Sequence, residues 1–126
     1  MLDMLGDKWT LLVLRDMVFE EKSSYGEFMS SDEHIASNIL ADRLSLLEKD
    51  GWVTKKRAPE NKSKFVYTPT EKVILLLPLL AEFILAGSAC FDFIATRPAS
   101  LLQELQHNKT GTLKKYARAI RRRIEE

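Results

Sequence analysis

A chain of 126 residues with 45% hydrophobic side chains and a net charge of +1 is one domain long and can bury a modest core. The near-neutral balance excludes a polycation held to nucleic acid by bulk charge, so any such role must rest on where the cations sit. A lone cysteine, Cys90, excludes an internal disulfide framework and suits a reducing cytoplasm.

Residues 1–3 have neither the basic start nor the apolar stretch of a signal peptide. The most apolar run, residues 73–80, is interrupted by Pro78 and followed by Glu82, which makes it too short to span a bilayer. The expectation is a soluble cytoplasmic protein with no membrane partner.

In chain order, residues 7–19 predict a helix capped by Asp7 after Gly6. Trp9, Leu11, Leu12, Val13, Leu14, Met17, Val18 and Phe19 make it apolar on more than one side. Such a helix needs cover on two faces, from its own core and from a partner subunit. Residues 20–24 read as a loop and 25–29 as a short helix capped by Ser24, with Phe28 and Met29 as anchors. A turn over 30–33 leads to a helix over about 35–50.

At 100° per residue from Ser37, that helix divides in two. Ala36, Ile39, Leu40, Leu44, Leu46 and Leu47 fall between about 180° and 340°, an apolar face. Ser37, Asn38, Ala41, Asp42, Ser45, Glu48 and Lys49 fall between about 0° and 140°. Small and amide residues near the helix start allow close approach to base edges. Arg43, at about 240°, lies within the apolar face and reads as an anchor, its stem packed and its head paired; a phosphate contact is the alternative. Gly51 is the expected left-handed residue that ends the helix.

Residues 52–58 and 64–68 read as strands around a turn over 59–63. A helix, a glycine stop and two strands in that order describe a recognition helix followed by a β-wing. Thr70 is the expected cap of a helix over about 71–84, kinked at Pro78 and weakened beyond by Gly87-Ser88. A further helix over 99–107, a break at 108–111 and a basic amphipathic helix over 113–124 complete the reading.

From Ala36 to Val66 the chain has seven basic residues (Arg43, Lys49, Lys55, Lys56, Arg57, Lys62, Lys64) against four acidic ones, and five of the seven lie in the wing. Phosphate contacts by such cations release counterions and supply much of the affinity for DNA. The plainer reading is a solvated hairpin decorated with lysine; the helix before it favours DNA. Asn38 can engage adenine bidentately, and Ser37 either a base, a phosphate or its own backbone. Ala41, Ser45 and Asn61 complete the expected DNA-facing set. The cations of residues 107–126 read as a solvated helix face, with phosphate contact as the alternative.

Catalytic and metal chemistry find no support. His34, His107 and Cys90 have no metal-ligand spacing, and there is no phosphate-binding glycine loop or nucleophile elbow. No cofactor is expected. Cys90, beside Ala89, Phe91 and Phe93, reads as a small buried hydrophobe.

The chain resembles the HxlR family of winged helix-turn-helix transcription regulators, relatives of the MarR group. The resemblance is carried by Gly6-Asp7-Lys8-Trp9 with Leu11–Leu14 and Arg15, by Tyr25-Gly26-Glu27-Phe28, and by residues 35–44 with Leu47–Gly51. Tyr67-Thr68-Pro69-Thr70 closes the wing. It implies a homodimer joined through the first helix and the helix after the wing, at Trp9, Leu12, Val13, Leu79 and Phe83. Each subunit would place residues 35–50 in a major groove and the wing, residues 52–68, along the backbone. Two departures stand out. No cysteine precedes the first helix, so thiol sensing is not implied, and Lys72-Val73 stand where the family commonly has a glycine.

The expected fold class is therefore mainly α with a small β-wing. Residues 1–87 form a winged helix-turn-helix and dimerisation domain, and 88–126 a helical extension packed on it. The extension could thicken the interface, cover an effector pocket or touch DNA. The expected partners are double-stranded DNA, a second copy and an unknown small-molecule effector; the apolar residues around 75–93 are a core or dimer seam before they are a ligand pocket. The alternative function is a winged-helix protein-interaction module, favoured by the near-neutral charge and by Asp42 and Glu48 on the outer helix face.

Overall fold

The computed structural model describes residues 2–90 and 100–126. Helices α1 (Leu2–Leu5), α2 (Lys8–Phe19), α3 (Tyr25–Met29) and α4 (Ser37–Lys49) are followed by strands β1 (Val53–Ala58) and β2 (Asn61–Pro69). Helices α5 (Glu71–Cys90), α6 (Leu101–His107) and α7 (Lys109–Glu125) complete the described fold. It is mainly helical with one antiparallel two-stranded wing.

Helix α2 starts where Asp7 accepts hydrogen bonds from the Thr10 backbone N–H (2.9 Å) and hydroxyl (2.8 Å). Leu12, Val13, Leu14, Met17, Val18 and Phe19 are all buried within this one chain. The C-terminal part of α2 gets cover from α7. Phe19 meets Tyr116 edge to face at 4.9 Å between ring centroids. Arg123 then donates to the carbonyls of Met17 (2.5 Å) and Lys22 (3.1 Å), supplying hydrogens that the end of α2 lacks. Leu12 and Val13 consequently have almost no surface to offer a second copy, whereas Trp9 stays half-buried.

Helix α3 opens with a capping box, Ser24 and Glu27 each satisfying the other's backbone N–H. Helix α4 has no side-chain cap: Ala36 takes the cap position and is exposed, unlike its expected place on the apolar face. Ile35 and Leu40, just before the cap and at the fourth helical position, are both in the core and occupy the places of a hydrophobic staple. At the other end Gly51 has φ +81°. The N–H of Trp52 reaches the Leu47 carbonyl (2.9 Å) and that of Gly51 the Glu48 carbonyl (3.1 Å), a Schellman closure that turns α4 directly into β1. The Thr70 hydroxyl donates to the Gly51 carbonyl (2.7 Å), tying that turn to the start of α5.

Four expectations are corrected beyond the wing. Helix α5 runs on through Gly87-Ser88 to Cys90, past its expected end at about 84; Pro78 lies inside it, and Val73, Leu77, Leu80, Ala81 and Ile84 hold both halves against the core. By length and composition alone this helix could cross a membrane, so the shortness inferred from residues 73–80 does not hold; those five side chains are committed to the core. Cys90 is exposed, being two turns past the last buried position of α5, Ile84; Phe91 and Phe93 lie outside the described residues, as does Ala99. The expected break at 108–111 is instead the first turn of α7, whose cap is Asn108, accepting from the Gly111 N–H at 3.0 Å. A Cβ on Gly111 would come within 2.4 Å of the Asn108 amide, so glycine is what lets this cap close.

Candidate nucleic-acid interface

The helix-turn-helix consists of α3, a turn and α4. Leu40, Leu44 and Leu47 fix the inner face of α4 in the core, while Ser37, Asn38, Ala41 and Ser45 are exposed together within an arc of about 100°. Asp42, Glu48 and Lys49 are exposed beside them. Leu46, expected inside, is 47% exposed at the edge of the apolar arc. The Tyr25 hydroxyl donates to the Ser37 carbonyl at 2.6 Å and ties the start of α3 to the start of α4.

Two arginines set the pose of this helix. Arg43 donates through Nε (2.7 Å) and Nη2 (3.3 Å) to Asp7, and through Nη1 to Asp42 (2.6 Å). Its head is thus engaged with the cap of α2, and its stem lies at the inner edge of α4. Arg15 forks onto Glu33 (2.7 and 3.0 Å) in the turn ahead of α4, and also onto the fully buried Asp16 (2.8 Å), which Lys22 completes at 3.2 Å. Ser31 adds a hydroxyl to Glu33 at 2.8 Å.

These bonds hold two carboxyls low. The Arg43 hydrogen bond, against some burial, brings Asp7 from 3.8 to about 2, and the Arg15 hydrogen bond brings Glu33 from 4.5 to about 2. Both folded values lie below the unfolded ones, so their contribution is complete above about pH 4.5 and is lost as pH falls towards 2. Acid unfolding is expected in that window. Asp7→Asn with Glu33→Gln should cost about 2–3 kcal/mol at pH 7 and converge with the parent near pH 2, as followed by circular dichroism in urea.

The wing pairs Val53 with Pro69, Lys55 with Tyr67, Lys56 with Val66 and Arg57 with Phe65, and then slips so that Ala58 meets Asn61. The turn is shorter than the expected 59–63: Asn61–Pro69 is strand, and the three extra residues, 62–64, bulge at the tip. Opposed residues share a face, so Lys55 and Arg57 stand with Phe65 and Tyr67, and Lys56 stands with Val66 on the other. Lys55 lies 4.2 Å and Arg57 5.1 Å from the Phe65 ring centre, which orders both cations before any contact is made. Arg57 also donates to the Lys62 carbonyl (2.5 Å), while the Asn61 amide oxygen accepts from the Ser63 N–H and hydroxyl (3.1 and 2.7 Å). Asn61 is thus a tip-closing residue; Lys55, Lys56, Arg57, Lys62 and Lys64 are exposed.

Tyr25, Phe65 and the Arg15–Glu33 clamp are the parts that sequence reasoning missed. A strand register with a bulge cannot be read from spacing, and Arg15 and Glu33 are 18 residues apart. Another is Leu75, 81% exposed on α5, in line with Leu79 (38%) and Phe83 (52%) at four-residue steps. Among the described residues no group of three or more His, Cys, Asp or Glu side chains is placed to hold a metal ion.

Residues 4–92 match the family model described as HxlR-like helix-turn-helix. The uncharacterized HTH-type transcriptional regulator BH0655 of Halalkalibacterium halodurans is 30% identical over 81 residues, covering 64% of this chain and 72% of the relative. The crystal structure of PA1607 superposes with a TM-score of 0.64 at 35% identity, covering 78% of this chain and 72% of that one. Reduced AbfR, solved bound to DNA, shares the fold at a TM-score of 0.52 and 22% identity, covering 90% of this chain and 76% of its own.

Proposed function

The chain belongs to the HxlR-like helix-turn-helix family, a family of DNA-binding transcription regulators, and we propose that it works as a homodimer reading a two-fold operator. In this reading Ser37, Asn38, Ala41 and Ser45 face base edges in the major groove. Lys55, Lys56, Arg57, Lys62 and Lys64 meet the neighbouring phosphates. Asn61 shapes the wing tip, Arg43 fixes α4 against the start of α2, and Gly51 sets the angle between helix and wing.

The observation that carries the proposal is the pairing of a small, polar, exposed arc on α4 with a cationic wing that leaves the same helix through one glycine turn. Small residues bring the helix axis close to the bases, and the cations supply the salt-dependent affinity. The stripe of Leu75, Leu79 and Phe83, with half-buried Trp9, supports the dimer: an isolated chain gains nothing from leaving three large side chains in water along one helix. The chain binds and does not catalyse, and its site of action is with the chromosome in the cytoplasm.

Hydroxyl-radical footprinting on a selected duplex tests the arrangement. Two protected patches with centres roughly 34–36 Å apart are expected from a two-fold dimer. A single patch, or protection without a symmetric repeat, would contradict it.

A further inference from the structure

Helix α7 treats its cations in two ways. Lys109 pairs with Glu82 (2.5 Å), Lys115 with Glu104 (2.8 Å), and Arg123 closes the carbonyls at the end of α2. Lys114, Arg118 and Arg121, in contrast, stand in one stripe at four- and three-residue steps, are exposed, and make no ion pair or hydrogen bond among the described residues. Like charges at such steps repel one another, so the stripe costs the helix stability when nothing answers it.

The stripe borders a groove of about 460 Å³ between α5 and α7. Ile74, Leu77 and Pro78 form one wall and Leu113 and Ala117 the other; Lys114, Arg118 and Arg121 form the rim, and none of the described residues that line it is acidic. The volume falls in the range of small-molecule sites. The groove lies away from the exposed Leu75–Leu79–Phe83 stripe, about 150° round α5 between their centres, and so is separate from the surface assigned above to a second copy.

We propose that this groove binds a small molecule with an apolar body and a carboxylate head. The walls offer nothing to a bare phosphate or to a sugar-phosphate chain, whereas a hydrocarbon or an aryl ring laid along them takes apolar surface out of water. The rim offers two guanidinium forks, which match the planar carboxylate bidentately, and an ammonium beside them. Neutralising the stripe is the charge complementarity that selects an acid over its amide or amine. The site stands on its own geometry and does not require that the wing bind DNA.

The test is a titration of the full ¹⁵N-labelled chain with 4-phenylbutyrate, followed by backbone amide and arginine Nε–H shifts. Saturable shifts confined to residues 74–78 and 113–121 are expected, with a Kd on the order of 1 mM. The neutral 4-phenylbutyramide should bind about tenfold or more weakly, and Arg118→Gln with Arg121→Gln should reduce the acid to the level of the amide. Both arginines are exposed, so the variant should keep the parent's dispersed spectrum. Absence of saturation, equal binding of the amide, or shifts elsewhere would overturn the proposal. So would a stripe that binds phosphatidylglycerol vesicles or duplex DNA but not the free acid. No DNA is present in the titration, so failure of operator binding would leave its outcome untouched.

Discussion

Replacing Lys55, Lys56 and Arg57 together by alanine is expected to lower operator affinity about 100-fold at 0.15 M salt, and to flatten the salt dependence by roughly two to three ions. Each cation that neutralises a phosphate contributes about 0.9 to the slope, so three lost contacts account for both figures. The loss should fall equally on operator and scrambled duplex, because phosphate contacts carry position and not sequence. All three side chains are exposed, so thermal stability should move little. Lys55 and Arg57 are held over the Phe65 ring and Lys56 stands on the other face. The two faces should therefore separate in single variants: Lys55→Ala and Arg57→Ala should behave alike, and Lys56→Ala should differ from both. An unchanged salt slope in the triple variant would mean that the wing is a solvated hairpin.

Leu75→Glu with Phe83→Glu is expected to convert a dimer into a monomer at micromolar concentration in sedimentation, and to cost more than about 100-fold in operator affinity. The second half-site of a two-fold complex binds at the high effective concentration set by the first, and that advantage typically amounts to about 10²–10⁴. Leu75 and Phe83 are 81% and 52% exposed within one chain, so carboxylates there should leave the monomer folded. They would bury like charges against each other only across a two-fold seam. Leu12 and Val13 are poor choices for the same experiment, since they are buried in the chain's own core and their loss would unfold it. A parent chain that sediments as a monomer, or a variant that remains a dimer, would remove this helix face from the interface.

The parts legible in the sequence are those written locally. Asp7 and Ser24 announce two helix starts because capping acts over three residues, and Gly51 marks a helix end because its left-handed backbone excludes side chains. The outward arc of α4 follows from a 3.6-residue period, and so did the place of Arg43, though only the structure names Asp7 as its partner. What stayed hidden depends on segments far apart in the chain. Nothing in residues 8–19 says that Tyr116 and Arg123 cover the end of that helix. Gly87-Ser88 and Asn108–Gly111 look like weak points by local rules; α5 runs through the first to Cys90, and the side chain of Asn108 turns the second into a cap. The wing cations were visible as a composition, but their division between two faces needed the register, which a bulge displaces.

The central claim is sequence-specific binding by α4 with the wing in support. Fluorescence anisotropy on DNA from upstream of the protein's own gene, against a scrambled duplex of equal length and at two salt concentrations, tests it most directly. The account predicts tight binding to the upstream DNA with clear discrimination, both duplexes weakening as salt rises, and loss of the discrimination in Asn38→Ala. A folded dimer that binds both duplexes equally weakly, or neither, would contradict it and would favour a winged helix that docks on protein.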